Sequence, residues 1–174
     1  AIYDKAASFV CGGDYLIDAY CGAGVLTCAL AKKCESALGI EIVDEAVKLA
    51  RETAEKNNVK NAEFICAPCE NVLPEIIKER RKKGLKTTLL LDPPRKGLDF
   101  AVSKAVKESL PDKIIYISCS PQTLARDLGI IFGTLEFTAN GIEKAADKPV
   151  NAYFGEILPS GYTLEYISGF DMFA

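Results

Sequence analysis

Cys119 stands where an apolar strand turns directly into a helix, in Tyr116-Ile117-Ser118-Cys119-Ser120-Pro121-Gln122-Thr123-Leu124. Ile114 and Ile115 open the apolar run, Ser120 suits a helix N-cap, and Pro121 suits the first helical position, where its missing N–H has no intrahelical partner to lose. Unpaired N–H groups and the positive end of the helix dipole stabilise a thiolate placed there, and the thiolate is the nucleophilic form of cysteine. Cys119 is therefore the candidate nucleophile, against the alternative of a cysteine buried for packing.

Three acids occupy comparable positions. Tyr15-Leu16-Ile17-Asp18-Ala19-Tyr20 reads as a strand running into Cys21-Gly22-Ala23-Gly24-Val25, a turn whose glycines let backbone approach a small molecule closely. The turn lacks the third glycine of a dinucleotide fingerprint, because Cys28 stands near its place, so NAD is the poorer match. A second strand, Ala37-Leu38-Gly39-Ile40-Glu41, ends in an acid at a spacing from the glycine turn that suits the hydroxyls of a ribose. A fourth apolar strand over 87–91 ends in Asp92-Pro93-Pro94-Arg95-Lys96-Gly97, where two prolines remove N–H donors and stiffen a loop that presents Asp92 and its carbonyls. Ligands of open parallel sheets bind outside the carboxyl ends of the strands, and Asp18, Glu41, Asp92 and Cys119 all fall at such ends.

The elements that carry these residues alternate strand and helix, the pattern of an α/β fold with a parallel sheet. Short helices are expected over 4–10 and after Gly24, and a longer one over 45–56, with Asp44 as its cap and Ala46, Val47, Leu49, Ala50 and Ala54 on its buried side. A third strand over 62–65 leads through Cys66-Ala67-Pro68-Cys69 to a helix over 70–81, and a helix over 100–109 precedes the strand that ends at Cys119. Beyond Leu128 the pattern loosens, so 129–160, with β-like pieces at Leu135-Glu136-Phe137 and Ala152-Tyr153-Phe154, reads as a peripheral insertion. A last strand is expected over 162–170.

Composition narrows the chemistry. The chain of 174 residues is 49% hydrophobic, enough for one core and one domain. It contains no histidine, which removes zinc-hydrolase, Ser-His-Asp and Cys-His schemes together. Seven cysteines, an odd number without a secretory leader before them, point to a reducing cytoplasm rather than a disulfide scaffold, and no stretch approaches the roughly 20 apolar residues of a membrane span. A net charge of −3 argues against strong nonspecific nucleic-acid binding. The basic run of Lys78, Arg80, Arg81, Lys82, Lys83 and Lys86 reads as a solvated helix end that complements the dipole, with phosphate contact as the alternative. The C-x-x-C at a helix start has a thioredoxin-type redox reading, but that leaves the glycine turn, Glu41 and everything from Asp92 onward without a role, and two thiols are too few for a metal site.

Taken in order, Asp18-Ala19-Tyr20-Cys21-Gly22-Ala23-Gly24, Glu41, Asp92-Pro93-Pro94-Arg95-Lys96-Gly97 and Ser118-Cys119-Ser120-Pro121 give the chain a pattern that resembles the catalytic domain of the RNA uracil-C5 methyltransferases, those forming 5-methyluridine in 23S ribosomal RNA above all. The resemblance covers most of the chain outside 129–160. It implies a class I methyltransferase fold, Rossmann-like, with a mostly parallel sheet and helices on both faces. It implies S-adenosylmethionine as cofactor, contacted by Tyr20, Glu41 and Asp92 with the Gly22–Gly24 loop near its amino-acid part, and Cys119 as the nucleophile. RNA is the implied partner, ribosomal first and transfer RNA second, with no stable protein partner. Where the family often has Asp or Asn after the third strand this chain has Pro68, leaving the adenine amino group to backbone or to Glu70. Family members also carry an N-terminal RNA-binding region, a middle domain, and, after the equivalent of Asp171-Met172-Phe173, a glutamate that removes the C5 proton and a further central strand. None of these is expected within this chain.

The chemistry favours the same reading. C5 of uracil is too weak a nucleophile to take a methyl group directly, so a thiolate must first add to C6. Two rivals remain: a methyltransferase acting on an exocyclic amine, whose Asp/Asn-Pro-Pro is followed by an aromatic where Arg95 stands here, and a noncatalytic RNA-binding module.

Overall fold

The computed structural model describes residues 2–138, 141–144, 162, 163, 165 and 166. After a short helix α1 (Ile2–Ala7), the chain alternates β1 (Asp14–Asp18), α2 (Val25–Ala31), β2 (Ser36–Glu41), α3 (Asp44–Lys56), β3 (Ala62–Cys66), α4 (Cys69–Lys82), β4 (Lys86–Leu91), α5 (Phe100–Ser109), β5 (Lys113–Tyr116) and α6 (Pro121–Ile131). The five strands form one parallel sheet in the order β3-β2-β1-β4-β5. A hairpin of β6 (Leu135–Thr138) and β7 (Gly141–Lys144) forms an antiparallel pair of its own.

Period-two alternation along the strands feeds two cores. Ile17, Leu38, Ile40, Leu89 and Leu91 pack with Leu73, Ile77, Val102, Val106, Leu128 and Ile131 from α4, α5 and α6. Leu16, Ala37, Phe64 and Leu90 pack on the other face with Cys28, Leu30, Val47, Ala50 and Ala54 from α2 and α3. Leu89, Leu90 and Leu91 are each fully buried, as expected of a central strand covered on both sides. The direction of strand order reverses between β1 and β4, and such a switch point opens a crevice beyond the strand ends.

Several boundaries differ from the expectations. Helix α1 stops at Ala7 rather than at residue 10. Asp44 is not the cap of α3 but its first residue; Val43 is the cap and makes no side-chain capping bond. Leu49 is 48% exposed rather than buried, because α3 turns its Val47–Ala50–Ala54 stripe to the sheet. The start of the insertion at 129 is also corrected. Gly129, Ile130 and Ile131 complete α6 and are buried, with Phe132 packed just after them. A glycine there suggests a helix stop, yet Leu135 folds back so closely that a Cβ on Gly129 would lie 2.6 Å from Leu135 Cδ1. Ala152-Tyr153-Phe154 lies outside the described residues, as does most of 162–170; Tyr162 stacks against Phe132 at 5.4 Å and its hydroxyl donates to the Pro111 carbonyl.

The connection from β1 to α2 is built on Asp18. Its Oδ2 accepts from Thr27 Oγ1 at 2.6 Å and its Oδ1 from the Tyr20 N–H at 3.4 Å, in a site where only 2% of the residue meets solvent. Burial, opposed by these bonds and reinforced by the nearby Asp92 and Glu41, pushes the carboxyl up to about 6 from an ordinary 3.8.

A raised acid pKa favours the protonated form in the folded state, so this group's stabilising contribution is fully present below about pH 4 and is lost as pH rises to about 6. Over that window Asp18→Asn is expected to gain on the wild type by about 2–3 kcal/mol in denaturant-derived stability. Parallel pH profiles for the two proteins would contradict that origin. Gly39→Ala should lower stability by about 1–3 kcal/mol through overpacking, read as a shifted urea midpoint at unchanged slope; its Cβ would lie 2.5 Å from Phe64 Cδ1 and 2.8 Å from Cys21 Sγ.

Candidate active site

At the carboxyl edge of the sheet the three acids occupy different environments. Asp18 faces inward and braces the glycine turn rather than opening to the crevice. Glu41, at the end of β2, accepts three backbone N–H groups: Gly22 at 3.1 Å through Oε2, and Ile42 at 2.8 Å and Val43 at 3.0 Å through Oε1. It thereby ties the turn after β1 to the turn after β2, and a carboxylate with about four acceptor sites keeps capacity for a further donor. Asp92, half-buried one residue past β4, has its carboxyl raised by burial, and among the described residues no donor bonds it.

Gly22 and Gly24 serve different needs within the turn. Gly22 has φ +50° and open space where a Cβ would be, so its main chain borders the crevice. Gly24 has φ +74° and lies against the core, where a Cβ would meet Ala50 Cβ at 2.8 Å. Both positive φ values favour glycine. Tyr20 is half-buried against the core face that holds Cys69 and Tyr116, and burial raises its hydroxyl well above the ordinary tyrosine value.

The loop after β4 and the start of α6 are locked together. Ile117 N–H donates to the Leu91 carbonyl at 2.8 Å, extending the β4–β5 ladder beyond the paired Leu91 and Tyr116. Two residues on, Cys119 is exposed. Ser118 Oγ accepts from the Ser120 N–H at 3.1 Å, and Ser120 Oγ caps α6 by accepting from Thr123 N–H at 3.4 Å. Eight residues of loop, from Asp92 to Asp99, turn at Gly97, which has φ +76° and donates its N–H to the Pro94 carbonyl at 2.8 Å. Asp127, fully buried in α6, reaches this loop: its Oδ2 accepts from the Leu98 N–H at 2.7 Å and from the Tyr116 hydroxyl at 2.6 Å. Its Oδ1 accepts from Arg126 Nε at 2.8 Å, while Arg126 Nη2 donates to the carbonyls of Lys96 at 2.9 Å and Leu98 at 3.1 Å. The sequence reading passed over this pair; the available signal was an Arg-Asp in the middle of an apolar helix pattern.

The buried cysteines, and Arg80 and Arg81 of the basic run, serve the fold. Burial pushes the thiols of Cys21 and Cys69 up to about 12, so Cys69 at the start of α4 does not have the stabilised thiolate of a redox helix. Cys66 is exposed, its Sγ donating to the Ile42 carbonyl at 3.5 Å, and all seven cysteines are free. Pro68 is the N-cap of α4, and Glu70 lies half-buried in its first turn. Arg80 stacks 3.8 Å from the Tyr15 ring centre and donates to its hydroxyl at 3.0 Å; Arg81 donates to the carbonyls of Ser109 and Leu110. Tyr15 and Lys86 sit at the opposite ends of their strands from Asp18 and Asp92, so this run lies across the sheet from the crevice. Among the described residues no cluster could hold a metal ion, and no helix is long and apolar enough to cross a membrane.

Comparison with known proteins places this arrangement. A family model described as tRNA (uracil-5-)-methyltransferase matches residues 9–143. An uncharacterized RNA methyltransferase of Clostridium tetani is 41% identical over 133 residues, covering 75% of this chain and 28% of its own length. Another from Enterococcus faecalis is 36% identical over 155 residues, covering 87% and 32% respectively, so the chain spans about a third of the relatives it matches. The crystal structure of Pyrococcus abyssi tRNA (uracil-54, C5)-methyltransferase in complex with S-adenosyl-L-homocysteine is similar with a TM-score of 0.60 at 33% identity, over 74% of this chain and 30% of that one. With a parallel five-stranded sheet wound on both faces and a family match over residues 9–143, this chain belongs to the tRNA (uracil-5-)-methyltransferase family and has the α/β fold of S-adenosylmethionine-dependent methyltransferases.

Proposed function

We propose that the protein transfers a methyl group from S-adenosylmethionine to C5 of a uridine in RNA, through a covalent bond between Cys119 Sγ and C6 of the base. The observation that carries this reading is the junction of the Asp92 loop and the Cys119 loop on adjacent strands, beside the Gly22 turn at the switch point.

The residues present fit the cofactor. Gly22 leaves its main chain open, Glu41 retains acceptor capacity for ribose hydroxyls, and the Asp92 carboxylate, with no donor among the described residues, suits the cationic amino-acid end. Tyr20 and Asp18 shape the turn between them, and Glu70 or the backbone beside Pro68 takes the adenine amino group. When bound, S-adenosylmethionine supplies an electrophilic methyl group. Cys119 Sγ adds to C6 of uracil, and the electron pair displaced from the C5–C6 double bond makes C5 enolate-like. C5 takes the methyl group as the methyl–sulfonium bond breaks, its electron pair staying on the sulfur of the departing S-adenosylhomocysteine, and C5 then loses its proton to a base. The pair from the C5–H bond reforms the double bond and Sγ departs.

The family description and the Pyrococcus protein both name transfer RNA, so the ribosomal RNA implied by the resemblance gains no support from them, and the proposal is made for uridine in RNA. Arg95 after Pro94, where exocyclic-amine enzymes have an aromatic, supports the C5 reading. Seven free thiols suit a reducing cytoplasm.

Calorimetry and methyl-transfer assays separate the roles. Glu41→Ala is expected to weaken S-adenosylmethionine binding by about 1–3 kcal/mol. Cys119→Ala should bind the cofactor as the wild type does and transfer no methyl group to RNA. Retained transfer overturns the covalent mechanism, and no heat from millimolar cofactor overturns the cofactor assignment.

A further inference from the structure

We propose that Asp127 is a positioning residue for this reaction, fixing the Asp92 loop and the Cys119 loop at the separation that methyl transfer requires. The inference rests on the covalent reading above and names a residue that touches neither cofactor nor base.

The two loops leave neighbouring strands. Leu91 pairs with Tyr116, which puts the starts of the loops about 4.8 Å apart, one strand spacing. Past that point only the Ile117–Leu91 bond continues the ladder, and each loop takes its own course. Asp127 bridges them from within α6. One carboxylate oxygen holds the Leu98 N–H on the Asp92 side and the Tyr116 hydroxyl on the Cys119 side, at 2.7 and 2.6 Å. The other orients Arg126, whose Nη2 closes on the Lys96 and Leu98 carbonyls of the same loop. Thr123 Oγ1, in the first turn of α6, adds a 3.5 Å contact to the Arg95 carbonyl.

The fit of Gly97 shows how closely the loop is drawn in. A Cβ on that residue would collide with Asp127 Oδ2 and lie 2.7 Å from Arg126 Nη2. Pro93 is buried and Gly97 is held by the Pro94 carbonyl, so the loop has few independent ways to relax once the carboxylate sets its far end. Stability alone does not call for this device, since a buried ion pair is often replaceable by apolar side chains of like volume. What an apolar side chain cannot do is accept the Leu98 N–H and the Tyr116 hydroxyl on one atom. A displacement of about 1 Å between reacting groups slows a reaction on the order of a hundredfold, so a joint placed here acts on rate rather than on affinity.

The test uses transfer RNA and ribosomal RNA transcribed with 5-fluorouridine in place of uridine. Fluorine cannot leave C5 as a proton does, so the methylated Cys119–C6 adduct persists and is counted on a denaturing gel. At saturating cofactor and RNA, Asp127→Asn should form adduct at least about tenfold more slowly than wild type, with cofactor affinity by calorimetry within about threefold. Tyr116→Phe, which removes one bond only, should show a smaller loss of the same kind and carries the test if Asp127→Asn does not fold. Adduct formation at the wild-type rate in folded variants overturns the inference. So does an equal fall of adduct formation and cofactor binding in a variant that circular dichroism shows to be folded, since that marks a general loosening of the crevice rather than a set separation of the two loops. A wild-type protein that forms no adduct overturns the covalent reading itself, and the inference with it.

Discussion

The carboxylate of Asp127, shut off from water inside α6, joins three segments that the chain visits separately: the end of β5, the loop after β4 and the helix that starts beside Cys119. Removing a carboxylate from water costs several kcal/mol, and here the cost is offset by hydrogen bonds from an amide N–H, a phenol and a guanidinium. Arg126 itself stays one-third exposed, so the positive partner keeps part of its hydration. The arrangement exchanges little net stability for a defined geometry, and the edge of the sheet that bears Cys119 depends on that geometry.

The other half of the crevice rests on glycine and on close packing. Phe64 on β3 presses against Gly24 and Gly39, positions where any Cβ would intrude. Glu41 ties the glycine turn to the end of β2 through the Gly22 N–H. Three carboxylates at three successive strand ends thus diverge in role. Asp18 is turned inward and held by Thr27, Glu41 is engaged by main chain, and Asp92 is the one whose oxygens meet no donor among the described residues.

Strand ends, the glycine turn and the start of α6 were legible because each depends on local rules. Apolar runs of four to six residues make buried strands, Gly-x-Gly permits positive φ, and Ser-Pro opens a helix. What local rules do not convey is where a side chain at a strand end points. Asp18 and Asp92 look alike in sequence, yet only the position of Thr27 on the following helix turns the first one inward. Asp44 resembled a cap because acids often are, but α3 starts one residue earlier than expected, with Val43 as its cap and Asp44 in its first turn. Gly129 resembled a stop because Leu135, the residue that needs its missing side chain, lies beyond the helix. Arg126-Asp127 drew no notice because its partners, Leu98 and Lys96, come from the preceding loop some thirty residues earlier.

In the proposed mechanism one thiol among seven forms the bond to the base. Trypsin cuts after Lys113 and Arg126, releasing a peptide from Ile114 to Arg126 with Cys119 as its single cysteine. Mass spectrometry of the trypsin- and nuclease-digested 5-fluorouridine RNA adduct locates the attachment directly. A methylated fluorouridine on Cys119 in that peptide is the predicted result; attachment to Cys66 or any other cysteine contradicts the assignment of the active site.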